Sequence, residues 1–133
     1  IGMYVEKNDR YGCSSILKPS KNYDRVPFLD EKVFVDMKKL DTFNFGKEFN
    51  MLNIDVQGYE LEVLKGSTKT LENIDYIMCE INRSTEKKGI EYINCALVGE
   101  LQKFLINYEF KLVEQNWAGT SWGDGFFVRG NLL

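Results

Sequence analysis

The first third of the chain contains two short runs in which apolar and polar residues alternate. Residues 3–7 (MYVEK) form one run and residues 32–37 (KVFVDM) the other. Alternation with a period of two is typical of strands. The segment between them, residues 18–27, is polar and holds both prolines of the chain, which favours a loop. We therefore predict two paired strands, followed by a short helical turn at residues 40–43.

The next run is apolar almost without interruption. Residues 50–56 (NMLNIDV) do not alternate, which suits a parallel strand that is covered on both faces. A helix is predicted from about Tyr59, and Gly66 is expected to stop it, because glycine is common just after helix ends. Ser67 is a candidate cap for a second short helix that reaches Leu71.

The second half of the chain repeats this pattern but ends differently. Residues 74–82 (IDYIMCEIN) predict another apolar strand, and the apolar positions in residues 98–108 have helical spacing. Residues 108–115 and 125–130 predict two further strands, linked by residues 116–125 (NWAGTSWGDG). Strands separated by helices imply parallel pairing, whereas two strands joined by a loop alone imply an antiparallel hairpin.

Together these elements predict an α/β fold, in which a parallel sheet with a terminal antiparallel hairpin is preceded by a small β-strand pair. The chain has 133 residues, so one domain is expected. Residues 1–46 would hold the strand pair and the short helix, and residues 47–133 the main sheet.

Composition narrows the classes of function. The net charge is −3 and no basic patch stands out, so we predict no nucleic-acid partner. No apolar run approaches the roughly 20 residues of a membrane span. The absence of histidine excludes histidine-dependent triads and His-based zinc sites within this chain. The three cysteines, Cys13, Cys79 and Cys95, lack metal-type spacing, which favours reduced thiols and a cytoplasmic location.

Two acids stand at predicted strand ends. Asp55 follows the first apolar strand and Glu80 lies near the end of the second. Ligands of open α/β sheets bind outside the carboxyl ends of parallel strands, so both carboxylates are expected to face one crevice. Alternatively, Asp55 caps the helix near Tyr59 while Gly58 permits the turn, and Glu80 only faces a loop. A third interpretation makes the two acids ligands of a magnesium ion.

Residues 52–82 (LNIDVQGYELEVLKGSTKTLENIDYIMCEIN) resemble the FkbM family of S-adenosylmethionine-dependent methyltransferases. That family carries a lysine-isoleucine-aspartate-valine-glutamate-glycine block, then a glutamate, a leucine-lysine-glycine stop and a later strand that ends in glutamate. Residues 13–17 (CSSIL) and 33–43 (VFVDMKKLDTF) resemble segments that precede the block. The matching residues of the block are Ile54, Asp55, Val56, Gly58, Glu60, Leu64, Lys65, Gly66 and Glu80.

The resemblance implies a Rossmann-like class I methyltransferase sheet, with the hairpin at its end, and S-adenosylmethionine as cofactor. Asn53 stands where the family usually has lysine, and Gln57 where it usually has glutamate. The family's early glycine-rich cofactor loop and the acid that holds the ribose have no counterpart here, so residues 47–133 are expected to be the C-terminal half of the fold. Gln57 and Gly58 are the residues assigned to cofactor binding.

The reaction implied is O-methylation of a hydroxyl group on a sugar, lipid or polyketide-type acceptor. A carboxylate beside the hydroxyl can orient it and take its proton, whereas one beside the cofactor's positive sulfur would favour the ground state. Asp55 is therefore the candidate base or orienting group. Glu80 is a second candidate, or it raises the pKa of Asp55 by repulsion. Trp117 and Trp122 are candidates for stacking on a sugar, with ordinary hairpin packing as the alternative, and Asp124 is assigned to a turn.

Two rival functions remain open, a non-catalytic module that binds glycans or a partner chain, and a metal-dependent hydrolase. Without a strand beside it, the strand at residues 50–56 would be an apolar sheet edge, which predicts self-association. The charged run at residues 86–88 (EKK) is expected to be solvated surface.

Overall fold

The N-terminal part of the chain forms a small antiparallel sheet, as the alternating runs predict. In the computed structural model, which describes residues 1–7, 12–23, 27–85 and 89–133, β1 (Gly2–Met3) pairs with β2 (Val33–Phe34). Both strands are shorter than predicted, since neither lies in the core and Phe34 is 81% exposed. A single 3-10 turn at Leu40–Phe43 confirms the predicted helical turn, and the EKK run lies outside the described residues.

The main sheet has four strands in the order β3–β4–β6–β5. β3 and β4 are parallel, and the two remaining pairings are antiparallel. The last strand of the chain therefore lies between β4 and β5, so β5 is not the direct neighbour of β4. This confirms a mixed α/β sheet with an antiparallel finish. The strands are β3 (Met51–Ile54), β4 (Tyr76–Asn82), β5 (Phe110–Asn116) and β6 (Trp122–Arg129).

The core lies on one face of this sheet, beneath the helices α1 (Glu60–Lys65) and α2 (Val98–Leu105). Alternate β4 residues point into it, because side chains of a strand alternate between faces. The prediction that β3 is covered on both faces is wrong for the part of the chain described, since only Ile54 of its four residues is buried. Buried core residues are Ile54, Leu64, Leu71, Ile74, Ile77, Cys79, Ile81, Ala96, Leu101, Leu105, Phe110 and Phe127.

Helix ends follow the sequence signals at one position and depart from them at the next. α1 ends at Lys65 with Gly66 as its C-cap, as predicted. Ser67 does not cap the next helix, because its hydroxyl donates to the Val63 carbonyl. That helix is a 3-10 turn at Thr70–Asn73. Its first backbone amide, that of Thr70, donates instead to Asp41 Oδ1 at 2.9 Å.

The hairpin of β5 and β6 carries a register shift between Leu112 and Glu114. Its connecting loop is shorter than predicted, because β6 already begins at Trp122. Asp124, assigned to a turn from the sequence, lies instead on β6 directly opposite Glu80. Among the described residues, no helix has the length and apolar character needed to cross a membrane.

Candidate active site

The structure brings Asp55 and Glu80 together at the carboxyl ends of β3 and β4. The side-chain amide of Gln57 joins them, because Nε2 donates to Asp55 Oδ1 at 2.7 Å and to Glu80 Oε2 at 3.2 Å. Asp55 is exposed, whereas Glu80 is buried. β4 continues two residues beyond Glu80 to Asn82, so Glu80 lies just inside the strand end rather than at it. The site is thus a pair of carboxylates held by one amide.

The turn that carries Gln57 has an uncommon backbone conformation. Gln57 has φ of 55° and Gly58 has φ of 97°, and both values lie in the left-handed region. A Cβ on Gly58 would also come within 2.8 Å of the Cys95 Cβ and 3.2 Å of Leu17 Cδ1. Glycine is therefore required here by conformation and by packing, since Gly58 is buried between these side chains.

A buried carboxyl group holds this turn from below. Glu60, the first residue of α1, accepts hydrogen bonds at Oε1 from the Val56 amide at 3.2 Å and the Gly58 amide at 2.9 Å. Its side chain is fully buried. Asp55, by contrast, makes no cap hydrogen bond to α1, so the alternative in which it merely caps the helix is not what the structure describes.

The N-terminal segment holds the same turn from the other side. The hydroxyl of Ser15 donates to the Gln57 carbonyl at 2.7 Å and accepts from the Leu17 amide at 3.0 Å. Tyr92 donates to the Cys13 carbonyl at 2.7 Å, and its oxygen lies 3.3 Å from Gln57 Oε1. The CSSIL segment is therefore part of the frame around Gln57.

Burial and charge together change the acidity of the buried carboxyls. Desolvation, followed by the negative charges of Glu60 and Asp55, raises the pKa of Glu80 to about 8, although a hydrogen bond from Asn82 opposes the rise. Desolvation also raises the pKa of Glu60, against hydrogen bonds from the backbone that favour its charged form. Near neutral pH, Glu80 is therefore able both to hold a proton and to release it.

Asp55 lines a groove of about 600 Å³, whereas Glu80 lies buried beside it. The apolar side chains of Met78 and Phe126 line the same groove together with polar groups. Clefts of this size, with a few polar groups on an apolar lining, are typical of small-molecule sites. The polar lining comes from Asn53, Asp55, Glu114, Asn116 and Asp124.

The two tryptophans occupy different surroundings. The Arg83 guanidinium lies 3.9 Å from the centre of the Trp117 ring, which also packs against the core, and Arg83 Nε donates to the Thr120 carbonyl. Trp117 therefore anchors its loop. Trp122 pairs with Asn82 across β4 and β6, two residue pairs beyond Glu80 and Asp124. A substrate contact for either residue stays a prediction, and the position of Trp122 suits it better.

Several hydrogen-bond donors of the turn already have partners within the protein. The Val56 and Gly58 amides donate to Glu60, and the Gln57 side-chain amide donates to the two acids, so these donors are already engaged. Cofactor binding by Gln57 and Gly58 therefore stays a prediction that these contacts do not support.

The magnesium alternative is also weakened. An N–H donor lies between the two carboxylates, where a cation would need acceptors only, as Gln57 Nε2 donates to both. Within the described ranges, no group of three or more histidine, cysteine, aspartate or glutamate side chains is arranged to hold a metal ion.

Sequence reasoning assigned no role in this site to Glu60, Asn82 or Tyr92, although Glu60 was among the matching residues of the family block. Glu60 had a signal, since it follows the turn glycine by two residues and begins a helix, where a carboxylate can reach back to turn amides. Asn82 and Tyr92 had none, because their contacts depend on how β4 and the segment before α2 pack in space.

Comparisons with known proteins agree with the resemblance. Residues 5–112 match the model of the methyltransferase FkbM domain. Hexuronic acid methyltransferase AglP of Haloferax volcanii is 39% identical over 41 residues, a stretch that covers 31% of this chain and 17% of that relative. No solved structure matches the chain significantly. Because the family match spans most of the sequence, the chain belongs to the FkbM methyltransferase domain family.

Proposed function

We propose that this chain serves the transfer of a methyl group from S-adenosylmethionine to a hydroxyl oxygen, with Asp55 and Glu80 on the acceptor side. The observation that carries the proposal is the pair of carboxylates bridged by Gln57 at the ends of two parallel strands. Family membership supports methyl transfer as the reaction and S-adenosylmethionine as the donor. The order β3–β4–β6–β5 supports the Rossmann-like class I sheet expected from the resemblance.

The two acids suit the removal of a proton from the acceptor. S-adenosylmethionine, when bound, would supply the methyl group to the acceptor oxygen and would leave as S-adenosylhomocysteine. Asp55 is exposed and can accept a hydrogen bond from the hydroxyl, which orients its oxygen. The proton passes to the carboxylate pair, where Glu80 can hold it because burial raises its pKa to about 8.

A sugar is the acceptor class that we propose. The name of the Haloferax relative assigns it a hexuronic acid, and the groove beside Asp55 presents amide and carboxylate groups that can bind hydroxyls. Lipid and polyketide-type hydroxyls are the other acceptors that the family resemblance implies. The relative matches over a short stretch only, so its substrate enters here as part of the proposal.

The test is Asp55→Asn in the full-length protein, assayed by transfer of a labelled methyl group to hexuronic acid glycosides. The amide keeps the shape and an acceptor for Gln57 but removes the charge, so kcat should fall by about 10²- to 10⁴-fold. Asp36→Asn, at an exposed position outside the site, is the matched control and should leave kcat unchanged. Equal turnover in both variants would remove the catalytic role of Asp55, whereas no methyl transfer by the parent protein would favour a module that only binds.

A further inference from the structure

The buried carboxyl of Glu60 is energetically unfavourable and has no part in the proposed reaction. Its side chain is fully buried, and its Oε2 has no hydrogen-bond partner among the described residues. A buried polar atom without a partner destabilises the fold, and more so if it is charged. A glutamine or an apolar residue would be the cheaper choice if this position had only to fill the core.

The satisfied oxygen shows where the carboxyl acts. Glu60 Oε1 accepts from the amides of Val56 and Gly58, the two residues on either side of Gln57. Gln57 itself has φ of 55°, a conformation that is unfavourable for a non-glycine residue and persists only where its surroundings enforce it. One carboxyl oxygen thus holds both flanks of the strained residue.

The strained backbone in turn aims the Gln57 side chain. Its Nε2 donates to both acids, at 2.7 Å to Asp55 and 3.2 Å to Glu80. The hydroxyl of Ser15 holds the Gln57 carbonyl from the opposite side. If Gln57 relaxed to an ordinary conformation, its side chain would point elsewhere and the two carboxylates would lose their common donor.

We propose that Glu60 is the positioning residue of the site, which holds Gln57 in its left-handed conformation so that the Gln57 amide sets the separation of Asp55 and Glu80. The inference rests on the proposed function only for its effect on rate. Its structural part concerns the geometry of Gln57 and can be tested without catalysis. The competing view is that Glu60 only starts helix α1.

Three substitutions separate these views. Glu60→Gln keeps an acceptor at the same reach, Glu60→Asp keeps the charge but is one methylene too short to span both amides, and Glu60→Leu removes the acceptor. Glu62→Asp is the matched control, because Glu62 is exposed on the same helix and its carboxylate pairs with Lys65.

The first readout is hydrogen exchange of the Gln57 side-chain amide in the 133-residue chain, measured by NMR and compared with the exposed Gln102. Exchange at Gln57 should be slowed in the unsubstituted chain, in Glu60→Gln and in Glu62→Asp. It should become about tenfold faster or more in Glu60→Asp and Glu60→Leu. Amide exchange in β4 and β6 reports whether each variant is folded.

The second readout is methyl transfer by the full-length protein. Glu60→Asp should lower kcat by about 10- to 100-fold with little change in KM for the acceptor, and Glu60→Gln should restore most of kcat. If the protection of the Gln57 amide and kcat are the same in Glu60→Asp as in Glu60→Gln, Glu60 does not position Gln57. This comparison does not depend on Glu60→Leu, which therefore need not fold. The parent protein could transfer no methyl group while Glu60→Asp and Glu60→Leu still lose the protection of the Gln57 side-chain amide. In that case the proposed function would be wrong and the positioning role of Glu60 would stand.

Discussion

At the scale of single residues, the replacement of the family's usual glutamate by Gln57 changes what holds the site together. A glutamine can donate hydrogen bonds where a glutamate can only accept them. Here Nε2 donates to Asp55 and Glu80 at once. The amide therefore joins two carboxylates that would otherwise repel each other.

Gln57→Glu should raise the pKa of Glu80 further above about 8. The substitution removes the donor between the acids and adds a third negative charge beside those of Asp55 and Glu60, all of which disfavour ionisation of Glu80. A ¹³C-carboxyl NMR titration of Glu80 measures the change. Gln102→Glu, on the exposed side of α2, is the control. An unchanged or lowered midpoint would contradict the bridging role of the amide.

At the scale of secondary structure, Asp41 joins the N-terminal part to the main sheet. Its carboxylate accepts from the backbone and hydroxyl groups of Thr70, both at 2.9 Å, and from the Lys69 amide at 3.1 Å and the Thr68 hydroxyl at 3.2 Å. Slight desolvation raises the pKa of Asp41, but the hydrogen bonds outweigh it and leave the pKa lowered.

Asp41→Asn should lower the free energy of unfolding at pH 7 by about 1 kcal/mol, because a neutral amide replaces a charged acceptor for four donors. A lowered pKa means that the carboxylate stabilises the fold above its unfolded pKa and loses this effect as pH falls through its folded pKa. Urea unfolding should therefore show the two proteins converging as the pH falls below the ordinary aspartate pKa of 3.8. Asp36→Asn, exposed on the segment before it, should behave as the parent protein at both pH values. If the free energy of unfolding of Asp41→Asn differed from that of the parent by the same amount at both pH values, this role of the Asp41 carboxylate would be contradicted.

At the scale of the whole molecule, buried acids should give stability an unusual pH dependence. The pKa of Glu80 is raised to about 8 and that of Glu60 is also raised, in both cases first by burial. A group with a raised folded pKa contributes stability below its unfolded pKa and loses it as pH rises through the folded value. We expect stability to fall, by on the order of a few kcal/mol, between about pH 4.5 and pH 8.

Glu80→Gln should flatten this part of the curve, because the amide does not ionise. Urea unfolding of the parent and of the variant across the same pH range measures the two slopes. Glu114→Gln, an exposed acid in the same groove, is the control and should keep the parent's slope. If Glu80→Gln also keeps that slope, the free energy stored at Glu80 is smaller than its burial implies.

The edge of the main sheet predicts association between copies. Within the described part of the chain β3 pairs only with β4, and Met51 at its start is 52% exposed. Exposed Phe45 and Phe49 lie just before it, with ring centres 5.7 Å apart. An apolar edge with unpaired backbone groups is a known route to aggregation.

Light scattering should therefore detect dimers or larger species of the 133-residue chain at about 100 μM. Met51→Lys should shift the equilibrium toward the monomer, because a lysine on an edge strand opposes pairing. Met37→Lys, at a comparably exposed methionine outside the strands of the main sheet, is the control and should have little effect. A parent chain that is monomeric at this concentration would contradict the prediction.

Local patterns were sufficient for much of the fold. The apolar runs located β3 and β4, the stop at Gly66 ended α1, and the final pair of strands formed the expected hairpin. Asp55 and Glu80 were expected to meet because parallel strands present their carboxyl ends at one edge. These predictions succeeded because each depended on spacing within one element or on a general rule of sheet topology.

Other features depended on contacts between distant parts of the chain. The insertion of β6 between β4 and β5 placed Asp124 opposite Glu80 rather than in a turn. The cap of the 3-10 turn at Thr70–Asn73 came from Asp41, 29 residues away from Thr70. Local periodicity cannot predict which strands are neighbours or which distant residue caps a helix.

By itself, then, the sequence determined the order of the elements, the family and the two acids, because these follow from residue types at short spacing. Only the tertiary structure decided that Gln57 joins Asp55 to Glu80, that Glu60 lies beneath the turn, and that the pKa of Glu80 is raised. The physical reason is that burial and electrostatic interaction depend on distances through space, which are set when the segments pack.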